Sequence, residues 1–264
     1  GRVRSSARRS LRRVAVIDVP TTELDQGVAV AFDYGNTLVE FGRRHVDHCD
    51  AALGRALRAR FGEHDAARFH ELREANRLAP YRNGYRENRL PQITRELVVA
   101  LYGQEPTAGE VDALVAARFD AFVSVIEAEP ATLAVLQALR ERFRLAVVSN
   151  YPCGRSIRAS LERVGILPLL DGVVVSGDVG FAKPHPAPFA EACARLGCRP
   201  GEVLFVGDNW LADVQGARRA GMTMVHLRRW TPPEHFDPEP DDLPPHATIA
   251  RLEELLGLTG VRAC

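Results

Sequence analysis

The sequence predicts an α/β fold in which a doubly wound parallel sheet carries an all-helical insert after its first strand. Three observations predict this class. Five short, nearly continuous apolar runs are typical of strands that are buried on both faces of a parallel sheet. Helix-compatible segments separate the last four runs in regular alternation. The long stretch after the first run contains helical patterns but no buried-strand pattern.

The individual elements follow from these patterns in chain order. The predicted strands cover residues 28–32, 145–148, 173–175, 203–206 and 223–227. The predicted core helices cover residues 131–143, 156–164, 186–196 and 213–220. Residues 231–245 contain many prolines and acidic side chains, which predicts a loop, and a short helix over 249–256 closes the chain.

The domain organisation that we predict has three parts. Residues 27–40 and 130–264 form the core domain, and residues 41–129 form the helical insert, with helices over 46–61, 65–78, 90–101 and 107–126. Pro80 and Gly84 indicate a turn within the insert. Residues 1–26 form an Arg-rich N-terminal tail, and its composition favours disorder over a transit segment or a polyanion contact.

Composition and charge exclude several classes of partner. The 264 residues are 46% hydrophobic, enough for one sizeable core, and carry a formal net charge of zero. Outside the tail we find no strong basic cluster, and no apolar run approaches the ~18 residues that span a bilayer. We therefore expect no nucleic-acid or membrane partner. The five cysteines match no zinc spacing, so we expect a reducing, cytoplasmic location.

Four polar sites follow directly after strands or between them. They are Asp33 to Thr37 in FDYGNTL, Ser149-Asn150, Lys183-Pro184, and Asp208-Asn209 with Asp213 five residues after Asp208. A parallel sheet brings the carboxyl ends of its strands to one edge, so we expect these side chains to share one crevice. That crevice would contain carboxylates, a hydroxyl group and an ammonium group.

This combination of groups suits attack on a phosphoryl group. A carboxylate such as Asp33 can form a covalent intermediate, and Asp33 with Asp208 can hold Mg²⁺ through oxygen ligands. The Ser149 hydroxyl can bind phosphoryl oxygens. Lys183 is the only lysine in the chain, and a compact ammonium required beside two carboxylates explains why arginine does not replace it here.

The ordered set of sites resembles the four motifs of the haloacid dehalogenase-like (HAD) superfamily, over about residues 28–256. The resemblance implies a Rossmann-like core, a helical cap between motifs one and two, and a Mg²⁺-dependent hydrolase that acts on a small phosphorylated substrate. Carried over by position, Asp33 is the nucleophile and a metal ligand, Thr37 supports its loop, Ser149 and Asn150 bind the phosphoryl group, Lys183 stabilises charge, and the Gly35 carbonyl, Asp208 and Asp213 complete the metal site.

Gly35 is a departure from that pattern. HAD phosphatases usually have a second Asp at this position, and it protonates the leaving group and then activates water. Three interpretations stay open. Another group or a water replaces the acid in a phosphatase, the enzyme is a metal-independent 2-haloacid dehalogenase, or the protein is a weakly active binding or scaffold protein.

The expected cap carries an Arg- and Tyr-rich segment over residues 81–89. Arg82, Arg86 and Arg89 can bind an anionic substrate tail, although charge runs usually form a solvated surface. The segment names no substrate, and the sequence does not indicate the oligomeric state.

Overall fold

The computed structural model describes residues 29–230 and 239–261, in which a parallel six-stranded sheet lies between layers of helices. The strand order is β3-β2-β1-β4-β5-β6, and every neighbouring pair is parallel. The strands are β1 (Ala29–Phe32), β2 (Arg144–Ser149), β3 (Gly172–Val175), β4 (Val203–Gly207), β5 (Thr223–Leu227) and β6 (Ala247–Ile249). The predicted α/β class is thus confirmed, and β1 lies at the centre of the sheet.

The predicted short closing helix is wrong at its beginning. Residues 247–249 form β6, which pairs with β5, and the closing helix begins only at Glu254. Three residues are too few to show an alternating or continuous apolar pattern, and they follow a proline-rich segment that masks the signal. Residues 239–245 of the predicted loop contain no helix or strand, and residues 231–238 lie outside the described residues.

Helices α1 to α4 lie between β1 and the first core helix, as the sequence predicts. They are α1 (Arg43–Phe61), α2 (Ala66–Arg82), α3 (Leu90–Tyr102) and α4 (Ala108–Val125). Helix α2 begins after Asp65, whose carboxylate accepts from the N–H groups of Ala67 and Arg68. Pro80 lies inside α2 rather than in a turn, and Gly84, at φ +72°, lies in the turn that follows.

The remaining helices cover the two faces of the sheet. They are α5 (Pro130–Arg140), α6 (Gly154–Arg163), α7 (Ser176–Val179), α8 (Pro186–Leu196), α9 (Gly216–Arg219) and α10 (Glu254–Thr259). The helix predicted over 213–220 is instead a π-helix, Trp210–Gln215, that continues into α9. Such π-turns are rare and occur frequently at functional sites.

Successive side chains of the central strand point to opposite faces of the sheet and so belong to two separate apolar clusters. Val30 and Phe32 of β1 belong to one apolar cluster, whereas Ala31 faces a second cluster with Phe205 and Phe189 of α8. Because both faces are covered, the strands are apolar throughout, as the sequence pattern indicated. The inserted helices join the first cluster through Phe122 of α4, which is 1% exposed.

Two further predictions concern parts of the chain that the structure does not test. The Arg-rich tail over residues 1–26 lies outside the described residues, and the limits of the domains stay a prediction. Within the described residues, no single helix is long and apolar enough to cross a bilayer. Helices α4 and α5 reach that length only when they are taken together, and they are bent by 87° at the break between them.

Candidate active site

The candidate site lies at the carboxyl edge of the sheet, where β1 sits between β2 and β4. Asp33 follows β1, Ser149 ends β2 and Asp208 follows β4. Phe32 is in register with Val147 and Val206, so these chain ends lie side by side. One cavity of about 210 Å³ is lined by Asp33, Gly35, Ser149, Asn150, Lys183, Asp208 and Asp213. The sequence-predicted convergence of these residues is therefore present in the structure.

Lys183 lies between two carboxylates. Its ammonium donates to Oδ1 of Asp33 and to Oδ1 of Asp213, each at 2.6 Å. The Lys183 side chain is 1% exposed, and so is that of Asp213. A buried ammonium with two such partners is held in one position and is shielded from water.

Electrostatics match this arrangement. Burial raises the pKa of Asp33 to about 6, against the opposing attraction of Lys183. Burial alone would lower the pKa of Lys183, but the carboxylates of Asp213 and Asp33 outweigh it and hold that pKa above its usual value. Lys183 therefore stays charged at neutral pH. The buried Asp33 carboxyl is costly to ionise when no second cation is present beside Lys183.

Asn150 fixes the backbone of Lys183. Its Oδ1 accepts from the Lys183 N–H at 2.7 Å, and its Nδ2 donates to the Lys183 carbonyl at 2.9 Å. The side chain of Asn150 also hydrogen-bonds Tyr81 of α2, whose pKa is raised by burial. Asn150, predicted as a phosphoryl ligand, is thus also a positioning residue, and Tyr81 connects the site to the inserted helices.

The loop after Asp33 is held by its own side chains. Asn36 adopts φ +57°, a left-handed conformation that asparagine tolerates, and its Oδ1 accepts from the Phe41 N–H at 3.0 Å. Thr37 is 1% exposed, and its hydroxyl oxygen is buried without a hydrogen-bond partner. The loop after Asp33 thus contains one buried polar atom that has no partner among the described residues.

The space next to Gly35 is partly filled by a neighbouring side chain. A Cβ atom built there would lie 3.2 Å from Cβ of Phe41, so the Phe41 side chain occupies the adjacent space. Gly35 does not have a positive φ, so its backbone conformation does not require glycine. Crowding by Phe41, rather than backbone strain, is what opposes a side chain at this position.

The acidic residues fit a divalent cation. Oxygen atoms of Asp33, Asp208 and Asp213 lie within 4.8 Å of one another. Mg²⁺ prefers oxygen ligands and is often bound through one or two carboxylates, so this donor set suits the ion in its chemistry. The second oxygen of Asp213 accepts from the Asn209 N–H at 2.9 Å, and ring Nε2 of His226 lies 2.9 Å from the Asp208 carbonyl oxygen. These bonds hold both acids in place.

The comparison with known families decides the identity. The sequence profile of haloacid dehalogenase-like hydrolases matches residues 28–221. This chain belongs to that family. The HAD fold and the hydrolase class that the motifs indicated are both confirmed.

The HAD hydrolase is also similar to relatives of named activity. It is 35% identical over 164 residues to a glyceraldehyde 3-phosphate phosphatase of Methanopyrus kandleri, covering 61% of this chain and 69% of the relative. It is 29% identical over 200 residues to a ribulose-1,5-bisphosphate 5-phosphatase of Halopiger xanaduensis, covering 75% and 83%. A 2-haloacid dehalogenase structure from Pseudomonas syringae shares the fold, with a TM-score of 0.67, 24% identity, and coverage of 89% and 98%.

Two predicted substrate ligands of the HAD hydrolase do not reach the site. Arg82 and Arg86 lie outside the set of residues that line the cavity at Asp33. Arg86 instead lies over the ring of Phe181, with its guanidinium carbon 5.8 Å from the ring centroid. Their spacing in a charge-rich turn is typical of a solvated surface, and the structure agrees with that interpretation.

Sequence reasoning missed residues that do reach the site region. Phe41 and Tyr81 line the cavity at Asp33. Three buried or partly buried arginines line an adjoining cavity between the helical insert and the sheet edge: Arg73, Arg77 and Arg118. In the sequence, these arginines lie in helical segments among many other arginines, so no local pattern marks them. Of these residues, only Phe41 could have been found from the sequence. It lies six residues after Gly35, at the end of the loop that carries Asp33.

Proposed function

We propose that this HAD hydrolase is a Mg²⁺-dependent phosphatase that acts on a small phosphorylated metabolite through an aspartyl-phosphate intermediate at Asp33. The observation that carries the proposal is the pairing of Asp33 with Lys183, in a cavity where oxygens of Asp33, Asp208 and Asp213 lie within 4.8 Å of one another. Nucleophile, cationic charge and cation ligands thus share one buried edge.

The proposed reaction has two steps. In the first, a carboxylate oxygen of Asp33 attacks phosphorus, the bond from phosphorus to the leaving oxygen breaks, and the leaving alcohol takes up a proton. In the second, water attacks the aspartyl-phosphate, inorganic phosphate leaves, and the Asp33 carboxylate is restored. Lys183 holds Oδ1 of Asp33 and so fixes the orientation of the attacking carboxylate.

Other residues bind and orient the phosphoryl group. Ser149 lines the cavity beside Asp33 and can donate its hydroxyl proton to a phosphoryl oxygen. Thr37 supports the nucleophile loop, and Lys183 neutralises the charge that develops during transfer. Asp33, the Gly35 carbonyl, Asp208 and Asp213 would hold Mg²⁺. When bound, the ion would neutralise the carboxylates and phosphoryl oxygens so that the anions can approach each other.

The relatives support this proposal over other hydrolase chemistry. The two curated relatives described above are named as phosphatases of phosphorylated three- and five-carbon compounds. Their substrates differ, so the proposal extends to the phosphorylated class and not to any one of them.

The decisive experiment measures phosphate release from a panel of phosphorylated metabolites with Mg²⁺ and with chelator. We expect release that requires Mg²⁺ and is lost in Asp33→Asn. Mass spectrometry of acid-quenched enzyme should show one added phosphoryl group on the peptide that contains Asp33. Metal-independent turnover, or phosphate release that survives Asp33→Asn, would overturn the proposal.

Gly35 favours one alternative, a 2-haloacid dehalogenase. Halide leaves carbon without a proton, so the missing acid at position 35 would cost such an enzyme nothing. Halide release from 2-chloropropionate in the presence of chelator would establish that reaction. The acidic set at Asp208 and Asp213 instead favours a cation and therefore the phosphatase. A binding or scaffold protein would show neither release.

A further inference from the structure

A second cavity adjoins the candidate active site. It has a volume of about 250 Å³ and lies between the inserted helices and the sheet edge. Phe41, Tyr81, Asn150 and Tyr151 line both this cavity and the one at Asp33. A substrate whose phosphoryl group lies at Asp33 can therefore extend its remainder past these residues into the second cavity.

The second cavity is cationic. Arg73, Arg77 and Arg118 all line it, among apolar side chains such as Ile93. Arg73 donates to Oδ1 of Asp50 at 2.9 Å, and Arg77 donates to Oδ2 of the same carboxylate at 3.0 Å. Arg77 also pairs with Glu74. These two arginines are thus neutralised by carboxylates from their own helical layer.

Arg118 differs because the structure gives it no carboxylate among the described ion pairs. Its side chain lies in α4 and is 8% exposed. One guanidinium nitrogen, Nη1, lies 3.3 Å from the hydroxyl oxygen of Tyr151, but Nε is buried without a hydrogen-bond partner. Nε itself is out of reach of a ligand, so an anion in the cavity would meet the Nη groups and offset the cost of burying this charge.

Glu87 is the acid in the wall of this cavity, and it does not neutralise Arg118. Its carboxyl oxygen Oε2 lies 2.8 Å from Oγ of Ser176. Burial raises the pKa of Glu87 to about 7, so much of it is protonated at neutral pH. Arg118 also helps to lower the pKa of the Asp50 carboxyl, but among the described residues it forms no ion pair with that carboxylate, so its guanidinium can still pair with an anionic ligand.

We propose that Arg118 binds a second anionic group of the substrate, a carboxylate or a phosphate, so that the enzyme selects phosphomonoesters with an anionic tail. The substrate class rests on the proposed phosphatase function, because it assumes a phosphoryl group at Asp33. The apolar walls contact the carbon chain between the two anions, and the guanidinium receives the tail.

The first test compares three substrates with a three-carbon skeleton in the wild-type enzyme. D-3-phosphoglycerate carries a carboxylate, propane-1,3-diol bisphosphate carries a second phosphate, and sn-glycerol 3-phosphate has a neutral tail. We expect kcat/KM for at least one of the anionic compounds to exceed that of glycerol 3-phosphate by about 10- to 100-fold, the effect of one charged hydrogen bond. The preferred anion identifies the tail, and equal rates for all three would overturn the inference.

The second test changes Arg118. Arg118→Met keeps the volume and removes the charge, so the ratio of anionic to neutral substrate should fall to about one. Arg118→Lys should restore part of the ratio, because it keeps a cation. The matched control is Arg68→Met, an exposed arginine of α2 that pairs with Glu71, and it should keep the wild-type ratio. If Arg118→Met slows all three substrates equally, Arg118 only positions Tyr151 and the inference is wrong.

A binding measurement separates this inference from the proposed function. Calorimetric titration of the Asp33→Asn protein with each compound reports tail recognition without turnover. If no phosphate is released from any substrate by the wild type, including p-nitrophenyl phosphate, the phosphatase function fails. Tighter binding of the anionic compounds would still support the subsite. Release of phosphate with equal binding of all three compounds would overturn the subsite alone.

Discussion

The side-chain amide of Asn150 satisfies both backbone polar groups of Lys183. It accepts from the N–H at 2.7 Å and donates to the carbonyl at 2.9 Å, while the ammonium of the same lysine reaches Asp33. The position of the single lysine therefore depends on a residue from the neighbouring strand end. Two motifs that are 33 residues apart form one unit.

Asn150→Leu should reduce kcat more than it raises KM, because it releases Lys183 while the other residues that line the cavity stay in place. We expect a fall of about 10- to 100-fold, since a misplacement of ~1 Å can cost 10²-fold. The free energy of unfolding should fall by about 1–3 kcal/mol, because two hydrogen bonds in a partly buried position are lost. Steady-state kinetics and urea unfolding check both values.

The control for Asn150 is Asn83→Leu. Asn83 accepts from the backbone N–H of Arg86 in an exposed turn, so this variant also loses a backbone hydrogen bond but lies away from the site. It should keep the wild-type kcat. A fall in kcat in the control equal to that of Asn150→Leu would mean that the effect is general and not due to Lys183.

Lys183→Met should destabilise the protein strongly when no divalent cation is present. The substitution leaves the buried carboxylates of Asp33 and Asp213 without their common cation. Removing one partner from a buried ion pair costs about 3–5 kcal/mol. Urea unfolding with chelator measures this loss, and activity should fall by at least about 10²-fold. A loss of stability below ~1 kcal/mol would show that Lys183 does not neutralise the pair.

Much of the fold could be predicted because its signals are local. The strands around β1 are buried on both faces, so each is apolar throughout, and the turn and cap residues separate the helices. The edge strand β6 escaped because its three residues carry no period. The π-helix at Trp210–Gln215 escaped because a one-residue change in helical hydrogen bonding leaves the apolar spacing nearly intact.

The residues of the candidate site also fall into those that local sequence signals predict and those that they do not. Asp33, Ser149 and Asp208 follow from strand ends, and parallel topology brings strand ends together. The role of Arg118 could not be predicted, because helix packing decides which of the many arginines is buried. The same reason accounts for Arg82 and Arg86, whose substrate-binding role stays a prediction that the geometry does not favour.

Gly35→Asp tests whether the missing acid limits the reaction. If it does, the variant should raise kcat on alkyl phosphates, which have poor leaving groups, by up to about 10²-fold. It should change p-nitrophenyl phosphate little, since that leaving group needs no proton. The Cβ of the new side chain would lie 3.2 Å from Cβ of Phe41, and Gly35→Asn would make the same contact without adding an acid, so Gly35→Asn is the matched control.

The slope of rate against leaving-group pKa gives the readout for Gly35→Asp. A flatter slope in Gly35→Asp than in Gly35→Asn would show that the introduced carboxyl group donates the proton. An unchanged slope would show that the wild type already protonates its leaving group through another group or a water.

Glu87 should make the stability of the protein fall as pH rises from about 4.5 to about 7. Burial raises its pKa from 4.5 to about 7, so in this range the folded chain holds a proton that the unfolded chain releases. The Ser176 hydroxyl donates to Oε2 of Glu87 at 2.8 Å, which favours the charged form, but burial outweighs this bond. The contribution of Glu87 is fully present below pH ~4.5 and lost above ~7, and it amounts to about 1–3 kcal/mol after allowance for partial exposure.

Glu87→Gln provides the measurement for this pH dependence. The amide stays neutral at every pH and keeps an oxygen that can accept from the Ser176 hydroxyl. The free energy of unfolding of the variant relative to wild type should therefore increase progressively from pH 4.5 to 7. Urea unfolding of both proteins at several pH values gives the difference. A constant difference from pH 4.5 to 7.5 would show that Glu87 is ionised normally in the folded state, because a group with the same pKa in both states adds no pH dependence to folding.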